Sequence, residues 1–271
     1  MVRTNRRRAR VICAVPGVVA GVVVGAVLAL IGLPVVGVVA LVVVALAVTV
    51  GIWRAAPGVI VRSLGAVPSR EQDHPRLHNL VDGLCATMGL PGPQILVVAS
   101  GVPNAMAVGH DPESAIIVVT SALDRSLTLV ELEGVLAHEL VHVKRNDTVV
   151  ASVAILATLP WALVRGTAAG ADRIHSLVGP GREFSADQRA AGVVRYPPGI
   201  GSALETMVAA GAEPSSPWPP GKGRIAALTR WLWIDPIAGG AASSGAGPGH
   251  QGIVDGNLDD TRVRAAAQAL L

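Results

Sequence analysis

The stretch "VLAHELVHVKRND", residues 135–147, places two histidines and a glutamate inside an apolar, helix-forming run. Histidine is a mediocre helix former and glutamate is rarely buried, so core packing alone would not select them. His138 and His142 are four residues apart, which puts both rings on one face of a helix, about one turn apart. Two neutral imidazoles at this spacing can bind one Zn²⁺ ion, and Glu139 beside them can act as a general base. The stretch therefore predicts a zinc site on a helix.

The helix that carries this stretch has a clear start in the sequence. Thr128 and Glu131 form a capping box, so we expect a helix over 128–145. The alternative is that the histidines occur by coincidence and are satisfied by hydrogen bonds in a core. A second pair, His74 and His78 in "HPRLH", has the same spacing but no neighbouring base or third ligand. We interpret that pair as solvated residues at the start of a helix.

A catalytic zinc site uses three protein ligands, and "REFSADQRAA", residues 182–191, offers the third. Glu183 and Asp187 are four residues apart, and Ala186 and Ala190 fall on the same face of a helix. Small residues on that face allow a second helix to approach closely. One carboxylate could then bind the metal, while the other holds the far nitrogen of a ligand histidine. The alternative is an ordinary amphipathic helix with Glu183 and Asp187 in solvent.

The composition is that of a membrane protein. Hydrophobic residues make up 51% of the 271 residues and charged residues 15%, below the roughly 25% of a soluble domain. No charged residue occurs in 11–53, which is long enough for two membrane spans, and "IGLPVVG" at 31–37 offers a turn between them. A cleaved signal peptide is the weaker reading, because the apolar run is too long for its hydrophobic region.

Arginines indicate how such a hairpin would be oriented. Five arginines lie in residues 1–10, and Arg54 and Arg62 follow the apolar run. Both ends of a hairpin face the same side, and the positive-inside rule makes that side the cytoplasm. We therefore expect a multi-pass protein of the plasma membrane with its catalytic part in the cytoplasm. Nucleic-acid binding is not expected, since the chain has no recognisable nucleic-acid-binding motif, and the two distant cysteines predict no disulfide.

The remaining chain alternates helical and strand patterns. Helices are expected over 69–89, with Ser69 as N-cap, over the apolar run 148–164, and from about residue 182. Strands are expected at 94–100 and 114–120, with a short third strand between them. After Tyr196 the chain is rich in Gly, Pro and Ala, with Gly/Pro-rich loops at 211–222 and 240–250 and a last helical segment near 258–271.

Four blocks resemble one known family in their order along the chain. They are "PNAMAVG" (103–109), "VVTSALDR" (118–125), "ELEGVLAHELVHVKRND" (131–147) and "REFSADQRAA" (182–191). Together they resemble the HtpX-like membrane zinc metalloproteases, a family that also includes the CAAX prenyl proteases. The resemblance covers about residues 70–195.

The resemblance implies a role for several residues. His138, His142 and Glu183 would bind one zinc ion per chain, Glu139 would be the general base, and Asp147 and Asp187 would support the ligands. The block from Asn104 to Gly109 would line the cleft, where an extended substrate peptide can pair with a strand edge. The residues of that block expected to bind substrate are Asn104, Ala105, Met106 and Ala107. Met106 stands where the family usually has an aromatic residue.

Membrane topology is the second departure from the family, which commonly has two further spans between the histidines and the last ligand. This chain has a single apolar run there, 148–164, and one crossing would put Glu183 on the wrong side of the bilayer. The following segment, 167–179, carries Asp172, Arg173 and His175 and cannot cheaply span. We therefore expect a membrane-apposed helix that does not cross, although a packed helix or half of a short hairpin remains an alternative.

A donor that stabilises the transition-state oxyanion is not fixed by the sequence; Tyr196, His175 and Arg189 are candidates.

The sequence thus predicts an α+β, mostly helical, zincin-like metalloprotease domain with a small sheet, preceded by a transmembrane helical hairpin. The expected divisions are a basic cytoplasmic tail (1–10), two transmembrane helices (11–53), a linker (54–68), a zinc metalloprotease core (69–195) and a C-terminal part of the catalytic domain (196–271). The expected function is zinc-dependent cleavage of polypeptides. The resemblance to the HtpX-like proteases implies that the substrates are misfolded membrane proteins, cleaved in membrane protein quality control. The alternatives are a non-catalytic membrane scaffold that keeps the zinc fold and a CAAX-type processing protease.

Overall fold

The computed structural model describes residues 2–179, 181–211 and 219–234. The helices are α1 (Val2–Leu30), α2 (Pro34–Leu64), α3 (Pro75–Met88), α4 (Leu123–Ser126), α5 (Leu129–Arg145), α6 (Asp147–Arg165), α7 (Thr167–Val178), α8 (Arg182–Ala191), α9 (Gly199–Gly211) and α10 (Gly223–Leu228). The strands are β1 (Val67–Pro68), β2 (Gln94–Val98), β3 (Ala105–Val108) and β4 (Ile116–Thr120). Short 3₁₀ turns occur at Pro112–Ser114 and Thr229–Leu232. The predicted class, mostly helical with a small sheet behind an apolar hairpin, is confirmed.

The N-terminal hairpin is longer than expected at both ends. α1 begins at Val2, so residues 2–10 of the predicted basic tail form the first part of a helix. Arginine is a good helix former, and neither Gly nor Pro occurs before Pro16. The predicted linker 54–68 is likewise helical as far as Leu64. There α2 buries Ile60 and Leu64 in a core cluster with the sheet, and it ends at Gly65, whose φ of 67° suits glycine.

A stripe of small residues on α1 determines how the hairpin packs. Every fourth residue is buried: Ala9, Cys13, Gly17, Gly21 and Gly25. Ala9 and Cys13 lie in a cluster with Val149, Val150 and Val153 of α6. The glycines face α2, where a Cβ on Gly21 would come 2.4 Å from the carbonyl oxygen of Leu41. Close backbone approach of this kind is how transmembrane helices pack without a hydrophobic driving force.

The sheet has the strand order β1-β2-β4-β3. β2 and β4 are parallel, while β3 is antiparallel to β4 and β1 is antiparallel to β2. β3 is the predicted third strand, and it forms one edge of the described sheet. Strand β1 lies in the predicted linker; two residues are too few to show an alternating pattern in the sequence.

One contact ties α2 to the loop after β3. Pro57 has no N–H to bond the carbonyl of Trp53 four residues earlier, and the ring of His110 bonds that carbonyl instead. The rings of Trp53 and His110 also stack, with their centroids 5.3 Å apart. The C-terminal half of α2 is therefore fastened to the loop that follows β3.

The helix predicted to start at Ser69 starts at Pro75 instead. Proline is favoured at the first helical position because its missing N–H would be unpaired there anyway. The helix ends as expected, with Gly89 at φ 64°. α3 packs with α5 in the larger core, which also holds Ala105 and Ile117 from the sheet.

α6 and α7 form a helical pair that joins α5 to α8. Gly166, at φ 90°, separates them, and Gly170 of α7 lies close against Ala162 of α6. The first half of α6 is buried, whereas apolar side chains near its end are exposed, Leu163 by 56% and Val164 by 80%. In the described residues, α1, α2 and α6 are long and apolar enough to cross a membrane.

Two predicted features lie outside the described residues: the loop at 240–250 and the helical segment at 258–271. Most of the predicted loop at 211–222 does so as well. Its described end, Gly221 and Lys222, lies against α2, where the Lys222 N–H donates to the carbonyl of Ser63 at 3.1 Å.

Candidate metal centre

Two helices supply the side chains of the site. On α5, Thr128 and Glu131 form the predicted capping box, and His138, Glu139 and His142 are all buried. α8 approaches α5 with Ala186 and Ala190, both fully buried. These small side chains bring Glu183 and Asp187 of α8 up to the histidines, as their spacing predicts.

Three donor atoms meet at one point. The Nε2 atoms of His138 and His142 are 3.1 Å apart, and Glu183 Oε2 lies 3.1 Å from the first and 3.5 Å from the second. In the described residues this is the one cluster of three or more His, Cys, Asp or Glu side chains that could hold a metal ion. The other histidine pair lies elsewhere: His74 bonds Asp124, and His78 bonds Ser69.

These separations fit zinc. Tetrahedral bonds of 2.0–2.1 Å from imidazole nitrogen and carboxylate oxygen place neighbouring donors about 3.3 Å apart. The far nitrogen of each ring is already engaged, so Nε2 is the atom left to face a metal. Two imidazoles and one carboxylate also match a common donor set of catalytic zinc, which leaves a fourth position open.

Each histidine is held from behind by a carboxylate. His138 Nδ1 donates to Asp187 Oδ1 at 2.7 Å, and His142 Nδ1 donates to Asp147 Oδ2 at 3.2 Å. Asp147 can turn back toward His142 because Asn146, between α5 and α6, adopts φ 54°. Among non-glycine residues, asparagine tolerates this left-handed conformation best.

Neighbouring charges shift the pKa values of His138 and Glu183. Burial lowers the pKa of His138, but the carboxylates of Asp187 and Glu183 outweigh it and raise the pKa to about 9. Burial likewise opposes the ionised form of Glu183, yet Arg182 and the histidines hold the pKa of Glu183 well below its usual range. A metal ion that binds here would therefore displace a proton from His138.

Glu139 differs from the other carboxylates. It is 2% exposed, and burial raises its pKa above the ordinary value, against the lowering effect of His138 and His142. The raised value brings the pKa of this carboxylate nearer to neutral pH, and a general base works best when its pKa is close to the pH at which it operates.

Sequence reasoning missed Arg182. Its Nε lies 2.5 Å from Glu183 Oε1, on the oxygen that does not face the histidines, and its Nη2 donates to the carbonyl of Trp231 at 3.1 Å. The signal available in the sequence was its position directly before the candidate ligand.

The residues expected to bind substrate lie on the edge strand. Asn104, at the start of β3, and Ala105, Met106 and Ala107 in it are all buried. Ala105 shares a core cluster with Leu136 of α5, and Ala107 shares another with Val143, so β3 lies beside α5. The outer side of this edge is already bonded at one point, because the Ile234 N–H donates to the carbonyl of Ala105 at 3.0 Å.

The three candidates for stabilising the oxyanion make no described contact with the three metal-facing side chains. Tyr196 is 56% exposed and Arg189 is also exposed, and no hydrogen bond or ion pair joins either side chain to the three donors. His175 packs against Trp231, with ring centroids 4.4 Å apart.

Comparison with known proteins places this site in a wider group. The sequence model of peptidase family M48 matches residues 71–232. A protease HtpX homolog of Syntrophobacter fumaroxidans is 38% identical over 153 residues, which are 56% of this chain and 52% of the relative. One from Salinibacter ruber is 32% identical over 172 residues, covering 55% and 62% of the two chains. One from Dictyoglomus thermophilum is 32% identical over 216 residues, covering 68% and 69%.

The chain spans about half the length of the first of these curated relatives. No solved structure matches it. The family match includes every residue of the candidate metal centre and, in addition, α9 and α10, beyond the predicted core.

Proposed function

This chain belongs to peptidase family M48, and from that premise we propose that it is a membrane-anchored zinc endopeptidase. The observation that carries the proposal is the meeting of His138 Nε2, His142 Nε2 and a Glu183 oxygen within 3.5 Å of one another, with Glu139 buried beside them. The resemblance to HtpX-like proteases, expected from the four blocks, agrees with the similarity to the protease HtpX homologs.

In this proposal His138, His142 and Glu183 hold the ion. A bound zinc ion supplies a Lewis acid for the carbonyl of a peptide bond and acidifies water. Glu139 accepts the proton of the attacking water on its carboxylate and returns it to the nitrogen of the leaving amine. Its buried position suits the first step, since a carboxylate with a raised pKa takes up a proton more readily than an exposed one.

Asp187 and Asp147 fix the orientation of the two rings. Each accepts a hydrogen bond from the Nδ1 of its histidine, so each ring presents Nε2 to the ion in the correct tautomer. Arg182 pairs with Glu183 Oε1, while Glu183 Oε2 faces the Nε2 atoms of the two histidines.

The substrate in this proposal is an extended polypeptide that adds to the edge strand β3. Edge strands bind peptides through main-chain hydrogen bonds. The carbonyl of Ala105 is already bonded by Ile234, so the peptide would pair with the part of β3 that follows, around Ala107. A site tethered beside the bilayer suits misfolded membrane proteins, which expose such segments at the cytoplasmic face.

The proposal is tested by cleavage of an unfolded casein with the detergent-solubilised full chain. Glu139→Gln removes the base and keeps the three donors, and we expect at least a thousandfold loss of kcat with zinc content unchanged. Glu133→Gln on the same helix is the matched control and keeps full activity. If Glu139→Gln cleaves as fast as the wild type, or if no variant cleaves although all bind zinc, the endopeptidase assignment is wrong and the scaffold reading replaces it.

A further inference from the structure

The first turns of α1 lie against the metal-binding part of the chain. The buried stripe of α1 recurs every four residues from Ala9 to Gly25, and one step back along it is Asn5. Its neighbours Arg6 and Arg7 are exposed, whereas Asn5 is half-buried. Asn5 is therefore on the face of α1 that packs onto the rest of the protein.

The amide of Asn5 contacts the segment that joins α5 to α6. Its Nδ2 donates to Asp147 Oδ1 at 2.6 Å and to the backbone carbonyl of Arg145 at 3.2 Å. The other oxygen of Asp147, Oδ2, accepts the hydrogen bond from His142 Nδ1. A continuous chain of contacts thus runs from the N-terminal helix through Asp147 to a candidate zinc ligand.

The contact matters because Asp147 is only 7% exposed. Its Oδ2 accepts the hydrogen bond from His142 and lies 3.4 Å from Arg145 Nε. Asn5 donates to the other oxygen, Oδ1. A buried carboxylate oxygen without a donor is costly, and a carboxylate held at one oxygen alone can turn about its bond. A neutral amide satisfies Oδ1 without adding another positive charge that would compete with His142 for this carboxylate.

We propose that Asn5 is a positioning residue of the metal centre, which holds Asp147 in the orientation that aligns His142. The N-terminal membrane helix is then part of the active-site structure as well as an anchor. The inference rests on the proposed function for its activity readout and on the three-donor site for its metal-binding readout.

The experiment measures zinc affinity by chelator competition, together with kcat and KM, in the full chain. Asn5→Ala removes both hydrogen bonds of the amide, and Asn5→Leu removes them while keeping a side chain of similar volume. We expect zinc affinity to fall about tenfold, the lower end of the range for outer partners of metal ligands, and kcat to fall with KM unchanged. The matched control is Thr4→Ala, because Thr4 is exposed on the same turn and bonds neither Asp147 nor Arg145; it should behave as the wild type.

A double-mutant cycle separates positioning from a general loss of helix packing. If Asn5 acts through Asp147, then Asn5→Ala has no further effect on zinc affinity in an Asp147→Ala background. Equal zinc affinity in the wild type and both Asn5 variants would overturn the proposal, as would full additivity in the cycle.

Failure of the proposed function gives a different result. If the wild type binds zinc and cleaves nothing, the endopeptidase assignment fails while the zinc affinities still decide the role of Asn5. If the wild type binds no zinc, both proposals fail.

Discussion

At the scale of single residues, the spacing of side chains on two helices accounts for the candidate site. The i, i+4 pairs on α5 and α8 predict that His138, His142, Glu183 and Asp187 each face the other helix, and the structure brings them together. The residues that sequence reasoning missed, Arg182 and Asn5, act through contacts that no local spacing encodes. Asn5 lies 142 positions before its partner Asp147, so only the folded chain reveals the contact.

The hydrogen bond from His138 to Asp187 gives a prediction at this scale. Asp187→Ala leaves the three donors in place but frees the His138 ring, and we expect zinc affinity to fall about 10- to 100-fold. Equilibrium competition with a chelator measures the change. Gln188→Ala, an exposed neighbour on α8, is the control and should leave the affinity unaltered. Unchanged affinity in Asp187→Ala would remove the aspartate from the account of the site.

Glu131 provides a pH-dependent test. Its Oε1 accepts hydrogen bonds from Ser202 at 2.6 Å and Thr206 at 2.8 Å, while its Oε2 caps α5. Burial opposes ionisation, but the bonds from Ser202, Thr128 and Thr206 outweigh it and lower the pKa of Glu131 to about 2. Because the folded pKa lies below the unfolded value of roughly 4.3, the stabilisation is complete above that value and is lost as pH falls through about 2.

We therefore expect Glu131→Gln to destabilise the protein by about 1–3 kcal/mol near neutral pH. The difference from the wild type should shrink as pH falls from 5 to 2, as measured by the midpoint of denaturant unfolding. A constant difference over this range would show that the charge of Glu131 has no part in joining α9 to α5.

At the scale of elements, the capped start of α5 and the glycine end of α3 were predictable, whereas the starts of α1 and α3 were not. The capping box at Thr128 and the glycine at 89 fix the ends of α5 and α3 where the sequence places them. The sequence did not predict that α1 extends back to Val2, because an arginine run beside an apolar run is typical of a tail. The start of α3 was wrong because Ser69 is a good cap in isolation, whereas Pro75 fixes where the helix begins.

The glycine stripe of α1 gives a prediction for the hairpin. A methyl group on Gly21 would come 2.4 Å from the Leu41 carbonyl oxygen, so Gly21→Ala must push α1 and α2 apart. Overpacking of this kind costs about 1–3 kcal/mol, and we expect a lower melting temperature in detergent. Gly51→Ala on α2 is the matched control, because nothing lies within 4 Å of the added methyl group; it should be neutral or slightly stabilising.

If the two variants melt alike, close backbone contact does not hold the hairpin together. The four-residue glycine spacing was readable in the sequence, since it is a known signal for packing of membrane helices. Length and hydropathy, which predict two spans in 11–53, carry no information on how the two helices pack.

At the scale of the whole molecule, the ligands must lie on one side of the bilayer. α6 and α7 return the chain to the site, and α7 has 12 residues, about 18 Å of helix, too short to cross a hydrocarbon core of about 30 Å. This length supports the expectation that α6 does not cross, while the exposed apolar end of α6 supports its contact with lipid. The apolar run 148–164 lies between the histidines and Glu183, so the chain must return to the same side of the bilayer before Glu183. The α6–α7 pair is one way for the chain to do so.

Labelling from outside intact cells tests this topology. A cysteine in place of Ile31, in the turn between α1 and α2, should react with a membrane-impermeant maleimide added outside. A cysteine in place of Ala168, exposed just after the α6–α7 turn, should react after the cells are opened and not before. The native Cys13 and Cys85 are buried and give a low background. External labelling at position 168 would mean that α6 crosses the membrane.

The central claim is that three side chains on two separate helices form one zinc site. Its most direct test is the zinc content and zinc-edge X-ray absorption of the metallated full chain, beside His142→Ala and Glu183→Ala. The account predicts one zinc ion per wild-type chain, bound by two imidazole nitrogens and carboxylate oxygen at about 2.0–2.2 Å. Both variants should lose the ion at limiting zinc. A wild-type chain that holds no zinc, or variants that hold it as firmly as the wild type, would contradict the claim.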